Sequence, residues 1–137
     1  MILLDTTVLV YAVGDDHPLA DTARSLMSDI RSGAVRAHTT PEVIQEFAHV
    51  RSRRRSRDDA VGLAGAFADL LGPLQVVTAQ NLSAGLELWA EHPTIGSFDA
   101  VLAAVAISLD AELVSADTGF AAVTGLHWKS LSDFGQA

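Results

Sequence analysis

Four acidic residues stand where they could act together. They are Asp5 in MILLDTTVLVYA, Glu46 in TTPEVIQEFAHV, Asp99 in GSFDAVLAAVAI and Asp117 in AELVSADTGF. Each lies beside apolar sequence. A carboxylate next to so much hydrophobic surface is costly to leave charged unless something pairs with it. Carboxylates gathered without cysteine or clustered histidine suit a hard divalent cation, Mg²⁺ or Mn²⁺. Four of them close together repel, so some should hold raised pKa values without a cation.

Each acid also has a plainer reading. Asp5, followed by Thr6 and Thr7, can be a turn-forming residue that bonds its own backbone. Asp99 can be a helix-start acid favoured by the dipole. Asp117 can open a turn, and Glu46 can pair with an arginine. Glu42 has a structural job in a capping box, whereas Glu46 has none. With Val43, Phe47 and Val50 at helical spacing, Glu46 is expected beside the core. The coincidence of four acids at matching positions argues for a site. Thr7, two residues past Asp5, is placed to orient its carboxylate, and Ser115 to hydrogen-bond near Asp117.

Other chemistries lack their motifs. There is no G-x-x-x-x-G-K, no G-x-G-x-x-G, no H-E-x-x-H and no G-x-S-x-G elbow. His17, His38, His49, His92 and His127 are scattered and read mostly as surface or loop residues. A receiver-type phosphotransfer domain wants an acidic pair after the first strand and a lysine after the last. A haloacid-dehalogenase-type phosphatase wants D-x-D there. Asp5 is followed by two threonines, and Lys129 is the only lysine.

The elements that must position these residues alternate. Ile2 to Leu4, Val35 to His38, Leu74 to Val77, Leu113 to Ser115 and Leu126 to Leu131 read as short strands. A helix should start near Pro18, with Asp21 in its first turn, and end at Gly33. Thr39 with Glu42 and Pro41 marks another helix start. Asp58 or Asp59 opens a third helix, closed by Gly72-Pro73. Leu82, Leu86 and Trp89 share one face of the next. Phe98, Val101, Leu102, Val105, Ala106 and Leu109 match a helical template. The expected fold is therefore α/β, with a mostly parallel sheet of four to five strands flanked by helices. Sites in such sheets form beyond the carboxyl ends of strands. Asp5 and Asp117 stand there, and Asp99 begins the helix just before the second of those strands, where the dipole should help it ionise.

Composition narrows the class. The 137 residues are expected to form one domain, 1–137, with a real core. The absence of cysteine excludes disulfides and thiolate zinc sites and suits a reducing cytoplasm. No signal peptide is expected, and no apolar run approaches the roughly 18 residues of a membrane span. The net charge of −8 argues at first against nucleic acid. Yet Arg51, Arg53, Arg54, Arg55 and Arg57 supply five of nine basic residues, and without them the remainder stands at −13. Such a patch can bind a polyanion locally, dock a partner protein or form a solvated helix end.

With these residues in place, the chain resembles the PIN-domain family, and within it the VapC toxins of bacterial toxin–antitoxin pairs. The match runs through MILLDTTVLVYA, TTPEVIQEFAHV, SFDAVLAAVA and LVSADTGF in order, over essentially the whole length. The resemblance implies a metal-dependent endoribonuclease using Mg²⁺ or Mn²⁺. It maps Asp5, Glu46, Asp99 and Asp117 onto the family's acidic quartet, with Asp5, Asp99 and Asp117 on the metal. Thr7 and Ser115 match frequent small polar positions. It also implies a VapB-like antitoxin and a homodimer. Gly119 departs from the pattern, since many relatives carry a further acid there. The rival expectation is an inactive module that keeps the fold and binds RNA or protein.

Overall fold

The structure, a computed structural model, describes residues 1–134. Its elements run β1 (Ile2–Leu4), α1 (Thr6–Val13), α2 (Ala20–Arg31), β2 (Ala37–His38), α3 (Pro41–Arg54), α4 (Arg57–Leu70), α5 (Ala79–Glu91), α6 (Ser97–Ser108), β3 (Glu112–Ser115) and β4 (Trp128–Ser130). The four strands form one parallel sheet in the order β2-β1-β3-β4. Leu3, Leu4, Leu113 and Val114 in the two central strands are fully buried. That is why these segments read as continuous apolar runs rather than alternating ones.

From β1 the chain leaves through α1 and α2 to reach β2 on one side. From β3 it leaves to β4 on the other. The carboxyl ends of β1 and β3 therefore flank the point where strand order reverses, the place where such sheets open a crevice. Leu4 pairs with Val114, and the Asp5 amide continues the ladder to the Val114 carbonyl at 3.0 Å. Asp5 and Ser115 are thereby neighbours although 110 residues apart.

Three helix pairs build the layers around the sheet: α1 with α2, α3 with α4, and α5 with α6. Phe47 of α3 meets Phe67 of α4 edge to face at 5.1 Å, a favourable aromatic geometry. On α5 the buried residues are Asn81 and Gly85. A Cβ on Gly85 would overlap Val101 of α6, so glycine permits the close crossing of this pair.

Several sequence expectations are corrected. Leu74 to Val77 is irregular, not a strand. It reaches the sheet region through one bond, from the Gln75 amide to the Thr39 carbonyl at 2.9 Å, just past the two-residue β2. The segment Thr6–Val13 is a helix, α1, that the strand-then-turn reading of DTT missed. The N-cap of α3 is Thr40, whose hydroxyl accepts from the Val43 amide at 3.2 Å. Thr39 instead donates to the Leu4 carbonyl at 2.8 Å, tying the start of α3 to the end of β1. Glu42 thus loses its expected capping box. His38 is buried against the Leu71 carbonyl at 3.2 Å, not on the surface. The Leu82, Leu86 and Trp89 face is exposed, because α5 packs through its small residues instead.

Candidate active site

Asp5 is the N-cap residue of α1 and is buried. Its Oδ2 accepts from the Ser115 hydroxyl at 2.6 Å and from the Thr7 hydroxyl at 3.2 Å. Thr7 reaches back because residue 5 caps the helix whose first turn contains residue 7. Each hydroxyl has one proton to give. With both directed to Asp5, their lone pairs accept from the next loop: Thr7 from the Ala116 amide at 3.0 Å, Ser115 from the Asp117 amide at 2.9 Å. This small network locks the Asp5 carboxyl and sets the path of the chain leaving β3. Asp117 then accepts from the Gly119 amide at 2.8 Å, opening a short 3₁₀ helix, Thr118–Ala122.

Asp99 lies in the first turn of α6, half-buried. Its pKa is pushed up to about 7, first by burial and then by repulsion from Asp5, Glu46 and Asp117. The helix dipole expected to keep it ionised is outweighed by these two effects. Asp5 is also raised, mainly by burial. Hydrogen bonds from Ser115, Thr6 and Thr7 act against that rise, and the Glu46 charge adds to it. Asp99 therefore feels the charge of the other three acids.

Glu46 is exposed rather than tucked beside the core, and it carries no ion pair among the described residues. It lines an apolar groove of about 270 Å³ with Val77, Leu82, Leu86, Phe98 and Val101 among the walls. Phe98, read from sequence as a core position of α6, is 78% exposed at the mouth of this groove. It belongs to the first turn of α6 and faces the groove rather than the core. Among the described residues, no three His, Asp or Glu side chains stand close enough to grip a metal as they are.

The arginine run divides. Arg51 donates to Asp59 at 2.6 Å and to the Val13 carbonyl at 3.1 Å, with only 13% of its side chain exposed. Arg55 reaches Asp15 at 3.3 Å on the surface. Arg53, Arg54 and Arg57 are exposed.

A family model for the PIN domain matches residues 2–126. The chain belongs to the PIN-domain family. Among curated proteins it is 49% identical to Ribonuclease VapC7 of Mycobacterium tuberculosis over 126 residues, covering 88% of this chain and 85% of that one. It is 34% identical to Ribonuclease VapC23 of the same organism, over 72% of this chain and 78% of that one. Among solved structures it resembles VapBC2 from Rickettsia felis, bound to a DNA fragment from the promoter of its genes, with a TM-score of 0.73 at 20% identity. That match covers 95% of this chain and 98% of the other. M. tuberculosis VapC20, described as a sarcin–ricin loop cleaving toxin, gives 0.73 at 18% identity, covering 92% and 98%. The expected PIN fold is thereby borne out, and the sequence places this PIN domain among the VapC ribonucleases.

Sequence reasoning did not single out Thr94. Its hydroxyl donates to the Gly119 carbonyl at 2.8 Å, joining the loop before α6 to the turn after Asp117. The legible signal was Gly119 itself, the position at which the chain departs from the pattern the resemblance implies.

Proposed function

We propose that this PIN domain is an endoribonuclease that hydrolyses RNA phosphodiester bonds with Mg²⁺ or Mn²⁺, acting as the toxin of a VapC-type pair. The observation that carries the reading is the charge of Asp5, Glu46 and Asp117 acting on Asp99 beyond the carboxyl ends of β1 and β3, in a chain 49% identical to a named ribonuclease. The rival reading as an inactive module finds no support among the relatives, which are named as ribonucleases.

The residues present fit a hard cation by chemistry. The donors are carboxylates backed by hydroxyls, with no thiolate or imidazole among them. Asp5, Asp99 and Asp117 would hold the ion. The chemistry supplied with the ion bound is Lewis-acid polarisation of the phosphoryl group and neutralisation of its developing charge. Ser115 and Thr7 fix the orientation of Asp5. Glu46, exposed on α3, orients the attacking water and takes up its proton. The raised pKa of Asp99 means that its proton must leave before the ion is held, so loading strengthens as pH rises.

The partners follow from the surface. An apolar groove with Phe98, Leu82 and Leu86 exposed at its walls is unusual on a protein that works bare. With Glu42 and Glu46 on its rim, it suits a VapB-like antitoxin that brings apolar and basic side chains. We assign the same protein a homodimeric state, a cytoplasmic location and a single nuclease domain over 1–137. Among the described residues, no helix is long and apolar enough to cross a membrane.

The test is incubation of purified, antitoxin-free protein with total RNA and a transfer-RNA panel, in Mg²⁺, Mn²⁺ or EDTA, beside Asp99→Asn. Discrete fragments that need metal and vanish in the variant are expected. Folded protein that binds Mn²⁺ yet cuts nothing in any lane, including ribosomal RNA in intact ribosomes, would overturn the reading.

A further inference from the structure

Two of the proposed site acids stand on separate segments. Asp99 rides on α6, entered through the loop His92 to Gly96, and Asp117 begins the 3₁₀ turn Thr118–Ala122. The sheet does not fix their separation, because both lie beyond it. Something else must hold the loop before α6 to the turn after β3.

Gly119 is placed to do so. Its amide donates to Asp117 Oδ1 at 2.8 Å, and its carbonyl accepts from the Thr94 hydroxyl at 2.8 Å. One residue therefore grips the Asp117 carboxyl with one end of its backbone and the Asp99 approach loop with the other. A second, longer tie runs between the same segments, from the Thr124 amide to His92 Nε2 at 3.5 Å. Ile95, next to Thr94, is buried in the core, which anchors the loop.

The grip is close enough to exclude a side chain. A Cβ on residue 119 would meet the Thr94 carbonyl oxygen far inside contact distance and Asp117 Oδ1 at 3.1 Å. The first obstacle is backbone, which cannot swing aside as a long side chain does. Gly119 is not among the residues with positive φ, so its backbone conformation does not itself demand glycine. Close approach does.

We propose that Gly119 and Thr94 form a clasp that positions Asp117 against Asp99, making both of them positioning residues for the cation site. The proposal rests on the metal-site reading for its consequence, though not for the clasp. An acid at 119 cannot be added to this site without opening the clasp, so the acidic set here stops at four.

The experiment combines hydrogen exchange with Mn²⁺ titration calorimetry on the full chain, comparing wild type with Gly119→Ala, Thr94→Val and Thr94→Ser. Thr94→Val keeps the shape and removes the hydroxyl, and Thr94→Ser restores it. Thermal melting establishes that each variant is folded. In Gly119→Ala, exchange should quicken in residues 92–99 and 116–122 together, and Mn²⁺ affinity should fall roughly tenfold or more. Thr94→Val should move both readouts in the same direction by less, and Thr94→Ser should stay near wild type. Faster exchange confined to 118–122 would overturn the clasp, as would unchanged Mn²⁺ affinity beside a wild type that binds. A wild type that binds no Mn²⁺ would sink the metal reading instead. The joint or separate quickening of the two segments would still decide the clasp.

Discussion

Helix α3 carries two charged groups five residues apart whose surroundings are opposite in kind. The charge of Glu46 acts on Asp5 and Asp99, where like charges gather and two pKa values are raised. Arg51 closes on Asp59 at 2.6 Å, where opposite charges meet and the Asp59 carboxyl is held below its usual range by that hydrogen bond. At the first place the chain accepts repulsion, and among the described residues no ion pair reaches Asp5, Glu46 or Asp99. At the second it resolves the charge within the fold and also holds the Val13 carbonyl at the end of α1. The contrast teaches which cluster serves the fold and which awaits something from outside.

The sharpest way to break this contrast is to neutralise acids along α3. Glu46→Gln should lower cleavage by about 10²-fold or more, within the range for a positioned acid–base group. Glu42→Gln, one turn earlier on the same groove rim, should leave cleavage near wild type, because Glu42 is not among the groups that perturb Asp5 or Asp99. Initial rates on a defined RNA fragment make the comparison. Equal losses in both variants would mean that the rim acts only through general negative charge.

The next effect is on stability against pH. Asp99 has a folded pKa near 7 against an ordinary value of 3.8, so the folded state holds its proton more tightly. The stability tied to that proton is fully present below about pH 4 and is lost as pH rises through about 7. Asp5 shifts in the same direction. Asp59 has the opposite sign: its contribution is present above its ordinary pKa and is lost as pH falls toward its lowered one. In EDTA, the melting midpoint of the wild type should therefore decline between pH 5 and 8. Asp99→Asn should flatten that decline and melt higher than wild type at pH 8. Saturating Mn²⁺ should raise the wild-type midpoint most at the alkaline end. A decline as steep in Asp99→Asn as in wild type would remove Asp99 from the acidic cluster.

Much of this contrast was legible before the fold was known, for definite reasons. Asp5, Asp99 and Asp117 were marked by their position against apolar runs and helix starts, signals that survive into three dimensions as strand ends and first turns. Glu46 was singled out partly for a wrong reason, since the capping box expected to occupy Glu42 does not form and α3 is capped by the Thr40 hydroxyl alone. Helix α1 was hidden because Thr6 and Thr7 read as a turn and because Val8 to Val13 has no polar stripe. Its residues are buried or half-buried nearly throughout, so periodicity is weak. The false strand at Leu74 to Val77 shows the reverse: an apolar run makes a strand only if a neighbour offers a ladder, and β2 is too short to do so. Arg51 and Arg54 look alike in sequence. Only tertiary packing gives the first a carboxylate and leaves the second exposed.

Arg51 supplies the next, smaller prediction. Its side chain spans α3, α4 and the end of α1, so Arg51→Ala should lower the melting midpoint by several degrees. The RNA cleaved per folded molecule should stay close to wild type. Arg51→Lys should recover little, since one ammonium cannot reproduce the two bonds to Asp59 and the third to Val13. Melting curves and rates normalised to folded protein test this. A large loss of activity at unchanged stability would move Arg51 from the fold to the substrate path.

The smallest expected effect belongs to Arg53, Arg54 and Arg57, which share the cluster without sharing its internal bonds. Exposed arginines that steer RNA act through phosphates, so their loss should weaken binding for all sequences alike. Changing each singly to Gln should raise KM by a few-fold with kcat unchanged. Each should also reduce the salt dependence of binding by roughly one counterion or less. The melting midpoint should stay near wild type, in contrast with Arg51→Ala. If KM and the salt slope are unmoved in the triple variant, these three side chains take no part in holding RNA. Weaker affinity for the antitoxin in that same variant would then assign them to the protein partner, and the division of the run into an internal arginine and three external ones would still stand.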